Sequence, residues 1–104
     1  MFFAQQPSAE DLYLMLGYNV CVPPRVRQAF SRSVNSDDLL PKIRKPVLIT
    51  HGALDAIVRS TVVDRHKVAL PHAQLHVMEN CGHAPFWENA GEFNRRLRVF
   101  AEGL

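Results

Sequence analysis

Pro46-Val47-Leu48-Ile49-Thr50-His51-Gly52-Ala53-Leu54-Asp55 is an apolar strand that runs into a glycine turn and ends on a carboxylate. After a gap the size of one helix, Leu75-His76-Val77-Met78 runs into Asn80-Cys81-Gly82-His83 and ends on an imidazole. An Asp and a His carried to neighbouring strand ends can meet at one edge of a sheet. There the carboxylate orients the ring, and the ring can act as a general base.

From Lys45 onward the order is strand, helix, strand, helix, which predicts an α/β fold with parallel strands covered by helices. The strand from Val47 to Thr50 has no polar alternation, as expected of a strand buried on both faces. Ser60 or Thr61 is expected to cap a helix carrying Val62, Val63, His66, Ala69 and Leu70, with Pro71 beyond it. The second strand is expected near residues 74–79. Asn89, with Glu92 three residues on, opens a last helix whose apolar stripe is Phe93, Leu97, Phe100 and Leu104.

The first part reads differently. Ser8 and Asp11 form a capping pattern for a helix over residues 9–17, with Gly17 as its stop, and Pro24 suits the first position of a second helix. Residues 31–38 read as a polar connection, and Leu39 to Ile43 as one helical turn. Two parallel strands make a narrow sheet with two open edges, so association through those edges is expected.

Bulk composition narrows the function classes. With 104 residues, 47% hydrophobic, 21% charged and a net charge of +2, the chain suits one small globular domain and gives no sign of nucleic-acid binding. Arg95, Arg96 and Arg98 read as a solvated helix face. No apolar run is long enough to cross a membrane. The start carries Glu10 and Asp11 and lacks a basic leader, so no secretory signal is expected and the reducing cytoplasm is the default compartment. Cys21 and Cys81 read as two reduced thiols. His51, His66, His72 and His76 are not at metal-ligand spacing, and no zinc site is expected.

The Pro46–Asp55 stretch followed by Asn80-Cys81-Gly82-His83-Ala84-Pro85-Phe86-Trp87-Glu88 resembles the last two strand-and-turn units of the α/β-hydrolase superfamily, over about residues 39–104. That family orders its triad nucleophile, acid, histidine. The resemblance implies that residues 39–104 are the C-terminal strand-helix-strand-helix part of the core and residues 1–38 the remnant of a helical cap. It implies catalytic roles for Asp55 and His83, 28 residues apart. Leu54, Ile57, Phe86 and Trp87 are candidate substrate-binding residues, with Leu14 and Tyr18 of the cap, and Glu88 reads as a structural hydrogen-bonding group. The implied reaction is acyl transfer from a small or medium carboxylic ester to water, with no cofactor and no metal. Related branches act on carbon-halogen, epoxide or carbon-carbon bonds.

Ser8, Ser31, Ser33, Ser36 and Ser60 all lie outside any Gly-x-Ser-x-Gly elbow, and no His-Gly-Gly loop offers an oxyanion hole. The expectation is a C-terminal part of an esterase-like hydrolase, inactive by itself, whose small-molecule substrate binds only when the missing parts are supplied. The alternative is a non-catalytic remnant or interaction module that docks onto a protein partner.

Overall fold

The computed structural model describes residues 2–30 and 38–104. They form two compact units: residues 6–30, and residues 2–5 together with residues 38–104. The chain's first residues therefore group with the strands rather than with the N-terminal helices.

The smaller unit holds α1, Ala9–Cys21, and α2, Pro24–Phe30. Ser8 caps α1: its Oγ accepts from the Asp11 N–H at 3.1 Å and its hydroxyl donates to the Asp11 carboxylate at 2.6 Å. The helix does not stop at Gly17. A lone interior glycine costs only about 1 kcal/mol against alanine. The stop comes at Val22, whose extended conformation (φ −78°, ψ 116°) is the one favoured before Pro23. No residue of α1 is buried. Of the connection expected over residues 31–38, residues 31–37 lie outside the described residues.

The larger unit continues with a 3₁₀ turn, Leu40–Lys42, then β1, Leu48–Gly52, and α3, Ser60–Ala69. It ends with β2, Gln74–Met78, the short α4, Pro85–Glu88, and α5, Ala90–Glu102. Among the described residues β1 and β2 form a two-stranded parallel sheet with Leu48 opposite Gln74 and Gly52 opposite Met78. The fold class is α/β, as the strand-helix-strand-helix order predicts. Val63, Leu70, Ala73, Met78, Cys81, Ala84 and Phe3 form the core, with Leu70 and Ala73 just before β2 and Met78, Cys81 and Ala84 at and beyond its C-terminal end.

Several local expectations are corrected. Neither Ser60 nor Thr61 caps α3; Arg59 occupies the cap position and makes no side-chain bond there. α4 was not foreseen, because four residues starting on Pro85 show no helical period. On α5 the Asn89 cap holds, with Oδ1 accepting from the Glu92 N–H at 3.2 Å. Phe93 and Phe100 are half-buried, while Leu97 and Leu104 are exposed.

The strands are also wetter than expected. Residues 48–50 of β1 are half-buried and only His51 and Gly52 are buried, while Leu75 and Val77 of β2 are 40% and 39% exposed. Two strands with sparse helix cover cannot dry both faces. This apolar surface and the free edge of β1 favour self-association. Sedimentation of the purified chain over a range of concentrations is expected to show mass rising with concentration; a sharp monomer at every concentration would refute this.

Candidate active site

Backbone pairing brings the two turns together. Beyond the last rung of the sheet, the Ala53 N–H donates to the Met78 carbonyl at 3.0 Å and the Leu54 N–H to the Cys81 carbonyl at 2.9 Å. Gly52 lies at the contact. A Cβ there would sit 2.0 Å from the Gly82 carbonyl oxygen and 2.4 Å from that of Cys81, so no other residue fits without moving backbone. Replacing Gly52 with alanine is expected to lower stability by about 1–3 kcal/mol, the usual range for overpacking. A denaturation midpoint equal to the parent's would contradict the contact.

Asp55 and His83 face each other across this junction. His83 Nδ1 lies 2.9 Å from Asp55 Oδ2. Because the carboxylate can only accept, Nδ1 carries the proton, which leaves the Nε2 lone pair available. Asp55 Oδ1 accepts from the Ile57 and Val58 N–H groups at 2.8 and 2.9 Å. One carboxylate thus closes its own turn and orients the ring. The Asp55 side chain is 5% exposed and that of His83 31%.

Partial desolvation disfavours the Asp55 carboxylate, but the Val58 amide, the His83 ring and the Ile57 amide together outweigh it. Its pKa falls below the ordinary aspartate value. The unfolded chain therefore takes up this proton first as pH falls, and the stability Asp55 contributes is complete above about pH 4 and lost below it. Asp55→Asn is expected to cost about 1–2 kcal/mol at neutral pH, with the gap to the parent closing toward pH 3. Unfolding midpoints across that range measure it, and a gap that widens on acidification would be the wrong sign.

The pair lines a cavity of about 230 Å³ together with Thr50, His51, Val58, Val62, His66 and Pro85, among others. None of the four residues expected to bind substrate lines it. Leu54 and Ile57 flank Asp55 and are each 55% exposed, and Phe86 packs edge-on against Phe93 of α5. Trp87 is half-buried on α4. Leu14 and Tyr18 line an open groove of the smaller unit with Glu10, Tyr13, Gly17 and Cys21. Sequence reasoning missed Val58 and Val62; only their closeness in sequence to the Asp55 turn and the start of α3 pointed to them.

Two other histidines and Glu88 bond elsewhere. His76 pairs with Glu92 at 2.9 Å and His72 with the Lys45 carbonyl at 3.2 Å. Glu88 bonds two backbone amides, those of Gly82 at 2.7 Å and Ala4 at 2.6 Å. Burial, helped by the negative charges of Glu88 and Glu92, pushes the Cys81 thiol up, so it stays protonated at neutral pH and is a poor nucleophile. Among the described residues no three His, Cys, Asp or Glu side chains are grouped to hold a metal ion. No helix among them is long and apolar enough to cross a membrane.

The sequence pattern of the Alpha/beta hydrolase family matches residues 2–96. This chain belongs to the α/β-hydrolase family. It is 38% identical over 63 residues to a 2-hydroxy-6-oxononadienedioate/2-hydroxy-6-oxononatrienedioate hydrolase of Pseudomonas putida, an alignment covering 61% of this chain and 22% of that one. It is 31% identical over 97 residues to the pimeloyl-[acyl-carrier protein] methyl ester esterase of Vibrio parahaemolyticus, covering 93% of this chain and 33% of the relative. A crystal structure of a candidate aryl esterase from Burkholderia cenocepacia superposes with a TM-score of 0.88 at 31% identity, covering 97% of this chain and 38% of that one. The chain thus spans between about a fifth and two fifths of these relatives, and the matched region is the C-terminal part of the α/β-hydrolase fold.

Proposed function

We infer that this α/β-hydrolase chain supplies the acid and the base of a nucleophile-His-Asp triad that hydrolyses a small or medium carboxylic ester. The observation that carries the reading is the 2.9 Å contact between His83 Nδ1 and Asp55 Oδ2 at adjoining strand ends. In this reading His83 Nε2 takes the proton of an attacking hydroxyl, and Asp55 holds the tautomer and stabilises the imidazolium that forms. His83 then returns the proton to the leaving alcohol, and water repeats the cycle on the acyl intermediate. The elbow that carries the hydroxyl and the amides that hold the oxyanion belong to the part of the fold that precedes these strands in the family.

Ester hydrolysis is favoured over carbon-carbon cleavage because esterases recur among the relatives in both sequence and structure. The smaller unit is read as the remnant of a helical cap, since α1 keeps Leu12, Leu14, Leu16 and Tyr18 exposed. Leu54 and Ile57, beside Asp55, and Phe86 and Trp87, after His83, are read as surface that the substrate meets once the pocket is complete. The cytoplasm is the proposed compartment, on the strength of two cysteines that are both unbridged.

Hydrolysis of p-nitrophenyl esters tests the reading. The chain alone is expected to match its His83→Ala variant, both at a slow background rate. Joined behind the elbow-bearing portion of the Pseudomonas putida relative, it is expected to turn over. His83→Ala or Asp55→Asn should then lower kcat by about 10³- to 10⁴-fold. A joined protein whose rate ignores both substitutions would leave the pair as turn residues and favour the docking-module alternative.

A further inference from the structure

The histidine turn is also clasped by the chain's first described residues. Residues 2–4 cross it as a short strap: the His83 N–H donates to the Phe2 carbonyl at 2.8 Å, and the Phe2 ring stands edge-on to the imidazole with centroids 4.9 Å apart at 75°. Phe3, beside it, is buried in the core. The strap passes so close that a Cβ on Gly82 would lie 2.7 Å from the Ala4 nitrogen and 2.9 Å from the Phe2 carbonyl oxygen. Glycine before the histidine is therefore a requirement of the strap.

Glu88 buckles the strap to the turn. Its Oε1 accepts from the Gly82 N–H at 2.7 Å and its Oε2 from the Ala4 N–H at 2.6 Å, so one carboxylate joins two backbones that do not otherwise share a charge. Both bonds are charge-assisted and short, the kind that holds geometry. Glu88 sits at the last residue of α4, which its own N–H and that of Trp87 anchor to the Ala84 carbonyl. The buckle is thus tied to a fixed element that begins two residues beyond His83.

We propose that Glu88 and Phe2 are positioning residues for His83: the buckle and strap hold the imidazole against Asp55 in the single Nδ1–H tautomer that leaves Nε2 free. Asp55 fixes one edge of the ring, and it cannot by itself stop the turn that carries the ring from moving. The strap fixes the backbone, and the Phe2 ring packs against the imidazole. This rests on the reading of His83 as the base, but it is measured without catalysis.

The test is NMR of the ¹⁵N-labelled full chain. The parent is expected to show His83 as one Nδ1–H tautomer with a slowly exchanging ring proton, and a protected His83 backbone amide. Glu88→Ala and Phe2→Ala are expected to give mixed tautomers, loss of the ring-proton signal, and His83 amide exchange faster by about tenfold or more. Glu88→Gln, which keeps one acceptor oxygen, should fall between. The amides of α5 and β2 report that the fold persists; should Glu88→Ala not fold, Phe2→Ala and Glu88→Gln decide by the same signals. Variants that keep the parental tautomer and amide protection would overturn the strap, as would a parent with no single tautomer. The two readings separate cleanly. A joined enzyme that is dead while the ring still answers to Glu88 sinks only the hydrolase reading, and an active one whose ring ignores Glu88 and Phe2 sinks only the strap.

Discussion

The backbone contact between the acid turn and the histidine turn is the constraint on which the rest depends. Parallel pairing of β1 and β2 ends at Gly52 and Met78. The two backbones stay together there because Gly52 presents no side chain to the Gly82 and Cys81 carbonyls, and because Ala53 and Leu54 donate to Met78 and Cys81 across the gap. Only with the backbones this close do an aspartate three residues past one strand and a histidine five residues past the other reach hydrogen-bond distance. The chemistry of the pair is therefore a consequence of main-chain packing.

Electrostatics then select the state of the pair. Asp55 is nearly buried, which opposes its charge, yet it receives two amides and an imidazole N–H, and these win. A carboxylate with its lone pairs so committed is a weak proton acceptor, so it orients the ring and stabilises its cation without taking the proton. Cys81, two residues before His83, meets the opposite balance: burial and two nearby carboxylates keep its thiol neutral. Asp55 and Cys81, carried by adjoining turns, thus meet opposite balances, one favouring its charge and the other suppressing it.

The sheet itself is marginal. Its dry part is confined to the C-terminal strand ends, where Met78, Cys81, Ala84 and Phe3 meet, and its N-terminal half keeps apolar side chains in contact with water. The relatives that the chain matches are about two and a half to three times as long as this chain. Turn, strap and carboxylate bonds concentrate at the site, and such bonds do not require a wide core.

Much of this was legible in the amino-acid order. Apolar runs ending in glycine turns determined two parallel strands, the Asn89–Glu92 pair determined where α5 starts, and the residue types at 55 and 83 determined what chemistry the strand ends could carry. What sequence alone did not decide depends on atoms distant along the chain. Residues 2–5 read as part of the N-terminal helical region, yet their carbonyl and amide bond to positions 83 and 88, and no local pattern encodes a contact across about eighty residues. The cap of α3, the course of α1 past Gly17 and the walls of the cavity at Val58 and Val62 were likewise settled in three dimensions. Periodicity and turn chemistry act within a few residues, whereas close backbone approach, desolvation and the sharing of one carboxylate between two segments exist only once the chain has folded.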